Sequence, residues 1–121
     1  MEFIFVLALL QIKHWYIDFV LQTNEQVAGK GIYGNKVGIS HSLEHVIGTL
    51  VSLLVASFFI DIDLFLLIVA AMFDGLTHYH IDWAKMNFGN RDISTPQFWS
   101  HLGLDQMAHQ IVYLILILLL F

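Results

Sequence analysis

Residues 64–86 read LFLLIVAAMFDGLTHYHIDWAKM, an apolar run in which Asp74, His78 and Asp82 recur every four residues. Side chains four apart lie one above another on a single face of an α-helix. Ionisable groups inside apolar helices are costly, and they turn inward toward each other, water or a cation. The same step recurs in the other apolar segments, as His14/Asp18, His41/His45 and His101/Asp105/His109. The pattern predicts an all-α fold, an integral-membrane four-helix bundle built around a polar His/Asp centre.

Composition points the same way. Of 121 residues, 58% are hydrophobic and 12% charged, with a mean hydropathy of +0.73. A soluble domain of this size rarely has that balance, and the apolar residues come in blocks long enough for membrane spans. The chain has no cysteine, which excludes disulfides and thiolate metal sites. A metal here must use imidazole, carboxylate or water, which favours zinc, then manganese, iron or magnesium. Five Lys/Arg do not make a nucleic-acid-binding face.

The expected spans run over about 3–22, 40–60, 64–86 and 96–121, within a single transmembrane domain covering 1–121. At ~1.5 Å per residue each reaches ~30–39 Å, enough to cross a bilayer. The first segment, MEFIFVLALL, lacks a basic leader and a small-residue cleavage site, so it reads as a retained helix. Thr95-Pro96 has the form of a helix start, with a cap followed by a first-turn proline. Residues 23–38 and 87–94 read as polar connections on one face of an up-down-up-down bundle. Lys30, Lys36, Lys85 and Arg91 lie on or beside that face, which the positive-inside rule assigns to the cytoplasm, with both termini outside. Trp15, Trp83 and Trp99 fall near the same boundary.

This topology brings all four polar sets to the same half of the bundle. Counting back from the last loop, Asp82 is expected level with His101, His78 with Asp105, and Asp74 with His109. The expected metal ligands, or their immediate partners, are His14, His41, His45, His78, Asp82, Asp105 and His109. A ligating histidine passes its other ring nitrogen to a carboxylate, so an i,i+4 His/Asp pair can be ligand plus orienter. Asp18 and Lys85 are the expected catalytic side chains, Asp18 as orienter or general base and Lys85 as an anion clamp. Gln22 and Gln106 are expected to hydrogen-bond substrate or backbone. A lone intramembrane histidine is usually interhelical glue; four pairs at one depth argue for a shared cavity. His80 lies off the 74/78/82 face and reads as interfacial, and His101 as solvated. His41-Ser-Leu-Glu44-His45 spells the H-x-x-E-H pattern of some zinc proteases, a short match that carries little.

His14-x-x-x-Asp18-Phe-x-Leu-Gln22, His41-x-x-x-His45, His78-x-x-Ile81-Asp82-x-x-Lys85 and Asp105-Gln106-x-x-His109 together resemble a family of small bacterial and phage membrane proteins of unknown function. The resemblance covers nearly the whole chain. It implies a multi-pass protein of the bacterial inner membrane, and it extends distantly to proteins described as membrane-bound metal-dependent hydrolases. Such likeness bears on fold more than on function. The leading expectation is therefore a divalent-metal-dependent membrane hydrolase acting on a phosphorylated or ester-linked substrate at the cytoplasmic leaflet. Two rivals are a metal-ion or proton transporter or channel, and a non-catalytic phage membrane effector. The bilayer, a lipid-linked or phosphorylated substrate and a second copy of the chain are the partners this reading allows.

Overall fold

Apart from the first helix, which follows Met1 directly, and its π-helical continuation, each helix begins where a side chain satisfies a free backbone N–H of its first turn. The computed structural model describes all 121 residues, and the fold is entirely helical. Helix α1 spans Glu2–Trp15 and continues as a π-helical segment, Tyr16–Leu21. Thr23 and Gln26 form a reciprocal capping box that starts a short helix, α2, Asn24–Gly29. Asn35 caps α3, Lys36–Ser57; Asp63 caps α4, Leu64–Phe88; and Thr95, followed by Pro96, caps α5, Pro96–Leu120. The stretch 23–38, expected as plain connection, thus holds one helix and the first turn of another. The T-x-x-Q box at Thr23 and Gln26 was the sequence signal for α2.

Four helices, Glu2–Leu21, Lys36–Ser57, Leu64–Phe88 and Pro96–Leu120, are long and apolar enough to cross a membrane. They pack as a ring in which α3 and α5 each contact α1 and α4, while α1 and α4 face each other across the centre. At the end bearing the termini, Val6, Leu10, Leu53, Ala56, Leu67, Ala70 and Leu116 form a dry core. At the loop end the interior is polar. Buried polar or charged side chains number 14 against 13 apolar ones, whereas residues such as Ile47, Leu76 and Leu118 face outward. That inversion suits a lipid surround, where apolar burial does not drive helices together and packing and hydrogen bonds must.

Two glycines set the helix spacing. A Cβ on Gly48 of α3 would meet Lys13 Cγ at 2.8 Å and Ile17 Cδ1 at 2.7 Å, so Gly48 lets the stem of Lys13 pass inward between the helices. A Cβ on Gly75 of α4 would collide with Val46 and lie 3.3 Å from the Ser42 carbonyl. The bare backbone there accepts a hydrogen bond at 2.5 Å from the Ser42 hydroxyl. Gly75→Ala is expected to destabilise the bundle by about 1–3 kcal/mol, the usual range for overpacking. Gly103→Ala, where nothing lies within 4 Å, should be neutral or slightly stabilising. Thermal unfolding in detergent followed by circular dichroism compares the two; equal behaviour would remove the close-packing role of Gly75.

Candidate metal centre

The polar interior divides into a half that is fully hydrogen-bonded and a half that is not. Lys13 anchors the first. Its Nζ reaches across the ring to Asp74 Oδ2 at 2.5 Å, and donates also to His45 Nδ1 at 3.1 Å and Tyr113 OH at 3.2 Å. All three ammonium donors are therefore used. Asp74 Oδ2 also accepts from Thr49 Oγ1 at 2.5 Å. Tyr113, accepting from Lys13, donates to His14 Nδ1 at 2.9 Å. The proton of His14 then sits on Nε2, which faces Gln106 Oε1 at 3.0 Å and Asp18 Oδ2 at 3.3 Å. By the same logic His45, accepting at Nδ1, donates from Nε2 to Asp18 Oδ1 at 2.9 Å. Both ring nitrogens of His14 and of His45 are thus engaged within the protein; His45 donates to Asp18, and His14 donates to Gln106 while lying against Asp18.

Asp18 lies in the π-helical segment, a feature that often marks functional sites. Gln22 Nε2 donates to the Asp18 carbonyl at 3.0 Å. The Asp18 carboxylate links the two halves. His41 Nε2 and His78 Nε2 lie 3.0 and 3.5 Å from Asp18 Oδ1, 3.5 and 3.1 Å from Asp82 Oδ2, and 3.3 Å from each other. Four ligand atoms from α3, α4 and the π segment thus lie close together. A tetrahedral zinc with bonds of about 2.0–2.1 Å sets its ligand atoms about 3.3–3.4 Å apart. The five separations here fall between 3.0 and 3.5 Å. Behind His41, Nδ1 faces Glu44 Oε2 at 3.5 Å, where a carboxylate would orient a ligating ring.

A second set adjoins the first through Asp82. His109 Nε2 lies 3.5 Å from Asp82 Oδ1 and 3.6 Å from Asp105 Oδ1. His109 Nε2 and Asp105 Oδ1 are buried without a hydrogen-bond partner, as are His41 Nδ1 and His78 Nδ1 on the far sides of their rings. Native proteins seldom leave such atoms orphaned without a cause, and an ion is one. Asp18/His41/His45/His78, His14/His78/His109 and Asp82/Asp105/His109 each bring ligand atoms within 4.8 Å of one another. Buried His and Asp groups here could hold a metal ion.

Loop-end cations cover this half. Lys30, just past α2, is buried and reaches Asp82 Oδ2 at 2.8 Å. Gln26 Nε2 donates to Glu44 Oε1 at 2.8 Å. Lys85, with its side chain 28% exposed, lies 3.3 Å from Asp105 Oδ2.

Every expected ligand is at the centre: His14, His41, His45, His78, Asp82, Asp105 and His109 are buried together with Asp18. Lys85 is at the edge. The depth register differs from the expectation by more than a turn. Asp82 is level with His109, and Lys85, rather than His78, faces Asp105. The cause is the connection 89–95. Asp92 accepts from the Ser94 hydroxyl at 2.7 Å and its N–H at 3.0 Å, and Thr95 donates to the Asp92 carbonyl. Those bonds hold the Asp92 carboxyl below the usual carboxylate range. The turn starts α5 beyond the end of α4, and His101 Nδ1 accepts from the Asn90 N–H at 2.8 Å. Gln106 holds His14 and donates to Asp105 Oδ2 at 3.1 Å. His80 bonds Tyr33 and the Leu76 carbonyl outside the centre. Lys13, Lys30, Thr49 and Tyr113 were not anticipated. Thr49 and Tyr113 continue the four-residue step beyond His45 and His109.

A known family covers this arrangement: the one described as "Protein of unknown function (DUF3307)" matches residues 6–121. The chain belongs to that family. No curated protein and no solved structure matches it.

Removing one partner of a buried ion pair leaves an uncompensated charge, a loss of about 3–5 kcal/mol. Lys13→Met is therefore expected to be strongly destabilising, and adding Asp74→Leu to recover much of that loss. Unfolding midpoints in detergent for the single and double variants test this. A double variant no more stable than Lys13→Met would show that Lys13 serves something other than Asp74.

Proposed function

We propose that this family member is a membrane-embedded, divalent-metal-dependent hydrolase of phosphorylated or ester-linked substrates, with its loop end at the cytoplasmic leaflet. The carrying observation is that His41 Nε2 and His78 Nε2 each lie within 3.0–3.5 Å of both the Asp18 and the Asp82 carboxylate and 3.3 Å from each other. Zinc suits imidazole and carboxylate at that spacing. These four would form a closed site. His109, Asp105 and the second oxygen of Asp82 would hold a neighbouring ion with only three protein ligands, and an open position is what catalytic sites retain. Asp82 faces the first set with Oδ2 and the second with Oδ1.

A divalent ion there supplies Lewis acidity toward water and toward a phosphoryl or acyl oxygen. The chain's own residues do the rest. His45 is assigned to hold Asp18 and His14 to hold Gln106 beside it, neither to ligate, because both nitrogens of each already have protein partners. Gln106 donates to Asp105 and fixes its orientation, and Lys85 offers positive charge beside Asp105. The dry core at the other end excludes water and gives no polar continuation across the bundle, which disfavours a transport path through one chain.

Elemental analysis of purified protein tests the metal directly. Wild type is expected to retain at least one zinc, manganese or iron per chain, His78→Ala/His109→Ala to lose it, and Tyr113→Phe to keep it. Release of phosphate from phosphorylated lipids or nucleotides should stop on chelation and return with metal. Folded wild type that binds no divalent metal would overturn the proposal.

A further inference from the structure

Beside the three-ligand set, α4 and α5 part to leave a groove of about 320 Å³. Its walls are Ile81, Ala84, Leu104 and Ala108, with Lys85, Asp105 and His101 as its ionisable lining. The helices run antiparallel, so these residues are ordered by depth. Ile81 and Ala108 lie deepest. Lys85 and Asp105 lie midway, at 3.3 Å from each other. His101 lies at the loop end, level with Asn90. Phe88 and Gly89 complete the lining beside His101. The ionisable groups thus all lie in the loop-side part, mixed with apolar ones, and the deepest part is wholly apolar, which is the profile of a lipid.

The free donors at the polar end suit an anion. Lys85 has one protein contact, with Asp105, and its side chain is 28% exposed, so ammonium donors remain free. His101 accepts at Nδ1 from Asn90, which leaves its proton on Nε2. Asp105 lines the groove with its oxygens engaged, Oδ1 toward His109 and Oδ2 toward Gln106 and Lys85. The larger groove between α1 and α3, about 470 Å³, offers no such end. Its Lys13 has spent all three donors, and its Glu44 accepts from Gln26.

We infer that the α4–α5 groove binds a membrane lipid with a phosphate headgroup, the phosphate between Lys85 and His101 and an acyl chain against Ile81, Ala84, Leu104 and Ala108. This deepens the hydrolase reading and rests on it for the fate of the lipid. A soluble phosphate would gain nothing from the deep apolar walls. The lipid enters sideways from the bilayer, and Asp105, which lines the groove, also borders the three-ligand set.

The test uses the full chain in detergent with dioleoyl phosphatidic acid, dioleoyl phosphatidylcholine or inorganic phosphate, with retained ligand read by native mass spectrometry and metal content measured on the same samples. Phosphatidic acid should be selected over both others. A charge-assisted hydrogen bond contributes about 1.5–3 kcal/mol, so Lys85→Met should weaken its retention about tenfold or more. Lys85→Arg should keep it, and Ala108→Trp should block the chain-binding end with metal content unchanged. Equal retention of the two lipids, equally tight free phosphate, or no loss in either Lys85→Met or Ala108→Trp would overturn the inference. Lipid selection without phosphate release would leave the groove assignment standing and remove hydrolysis. Phosphate release from a soluble ester without lipid selection would do the reverse.

Discussion

The ammonium of Lys13, carried from α1 across the bundle to Asp74 on α4, is the contact on which the rest of the interior depends. It joins the two helices that do not otherwise pack on each other. In a lipid surround the apolar faces supply little drive for association, and satisfied polar contacts at the centre hold helices in register. Gly48 makes the crossing possible by leaving room for the lysine stem. Thr49, His45 and Tyr113 then complete the coordination of the pair, each with a hydrogen bond that fixes its own orientation.

Fixing those three orients what lies beyond them. Tyr113 and Lys13 determine which nitrogen of His14 and His45 carries a proton; the His45 proton goes to Asp18 and the His14 proton to Gln106 beside it. Asp18 in turn faces His41 and His78 with its oxygen. The saturated half is therefore the scaffold, and the orphaned His109 Nε2 and Asp105 Oδ1 mark a part built for something else. A hydrogen-bond network serving only to hold helices together would be expected to satisfy these atoms too. Beyond Asp18, Lys30 and Lys85 contact Asp82 and Asp105, and the ligand atoms of His109, Asp82 and Asp105 lie at ion-like spacing.

Much of this was legible in the sequence because helical periodicity is simple. Four apolar segments with residues at i and i+4 state both the helices and the face that turns inward, and they placed His14, Asp18, His41, His45, Asp74, His78, Asp82, Asp105 and His109 in one interior. The same step carried one position further reaches Thr49 and Tyr113. Lys13 was not readable that way: within its own helix it resembles an interruption, and its partners are 32, 61 and 100 residues distant. Lys30 depended on a short helix folding back over Asp82. The depth register rested on an assumption of equal helix ends, which the turn at Asp92 and Ser94 displaces. Tautomers, which separate His14 and His45 from the other histidines, follow from neighbours in space and leave no mark in spacing.

X-ray absorption at the metal edge of protein loaded with zinc reads the central claim most directly. A first shell of imidazole nitrogen and carboxylate oxygen at about 2.0–2.1 Å, with multiple-scattering features of at least two histidines that fall on His41→Ala/His78→Ala, is the predicted result. A shell of water oxygens alone, or a spectrum unchanged in that variant, would contradict a metal centre at the convergence of α3, α4 and the π segment.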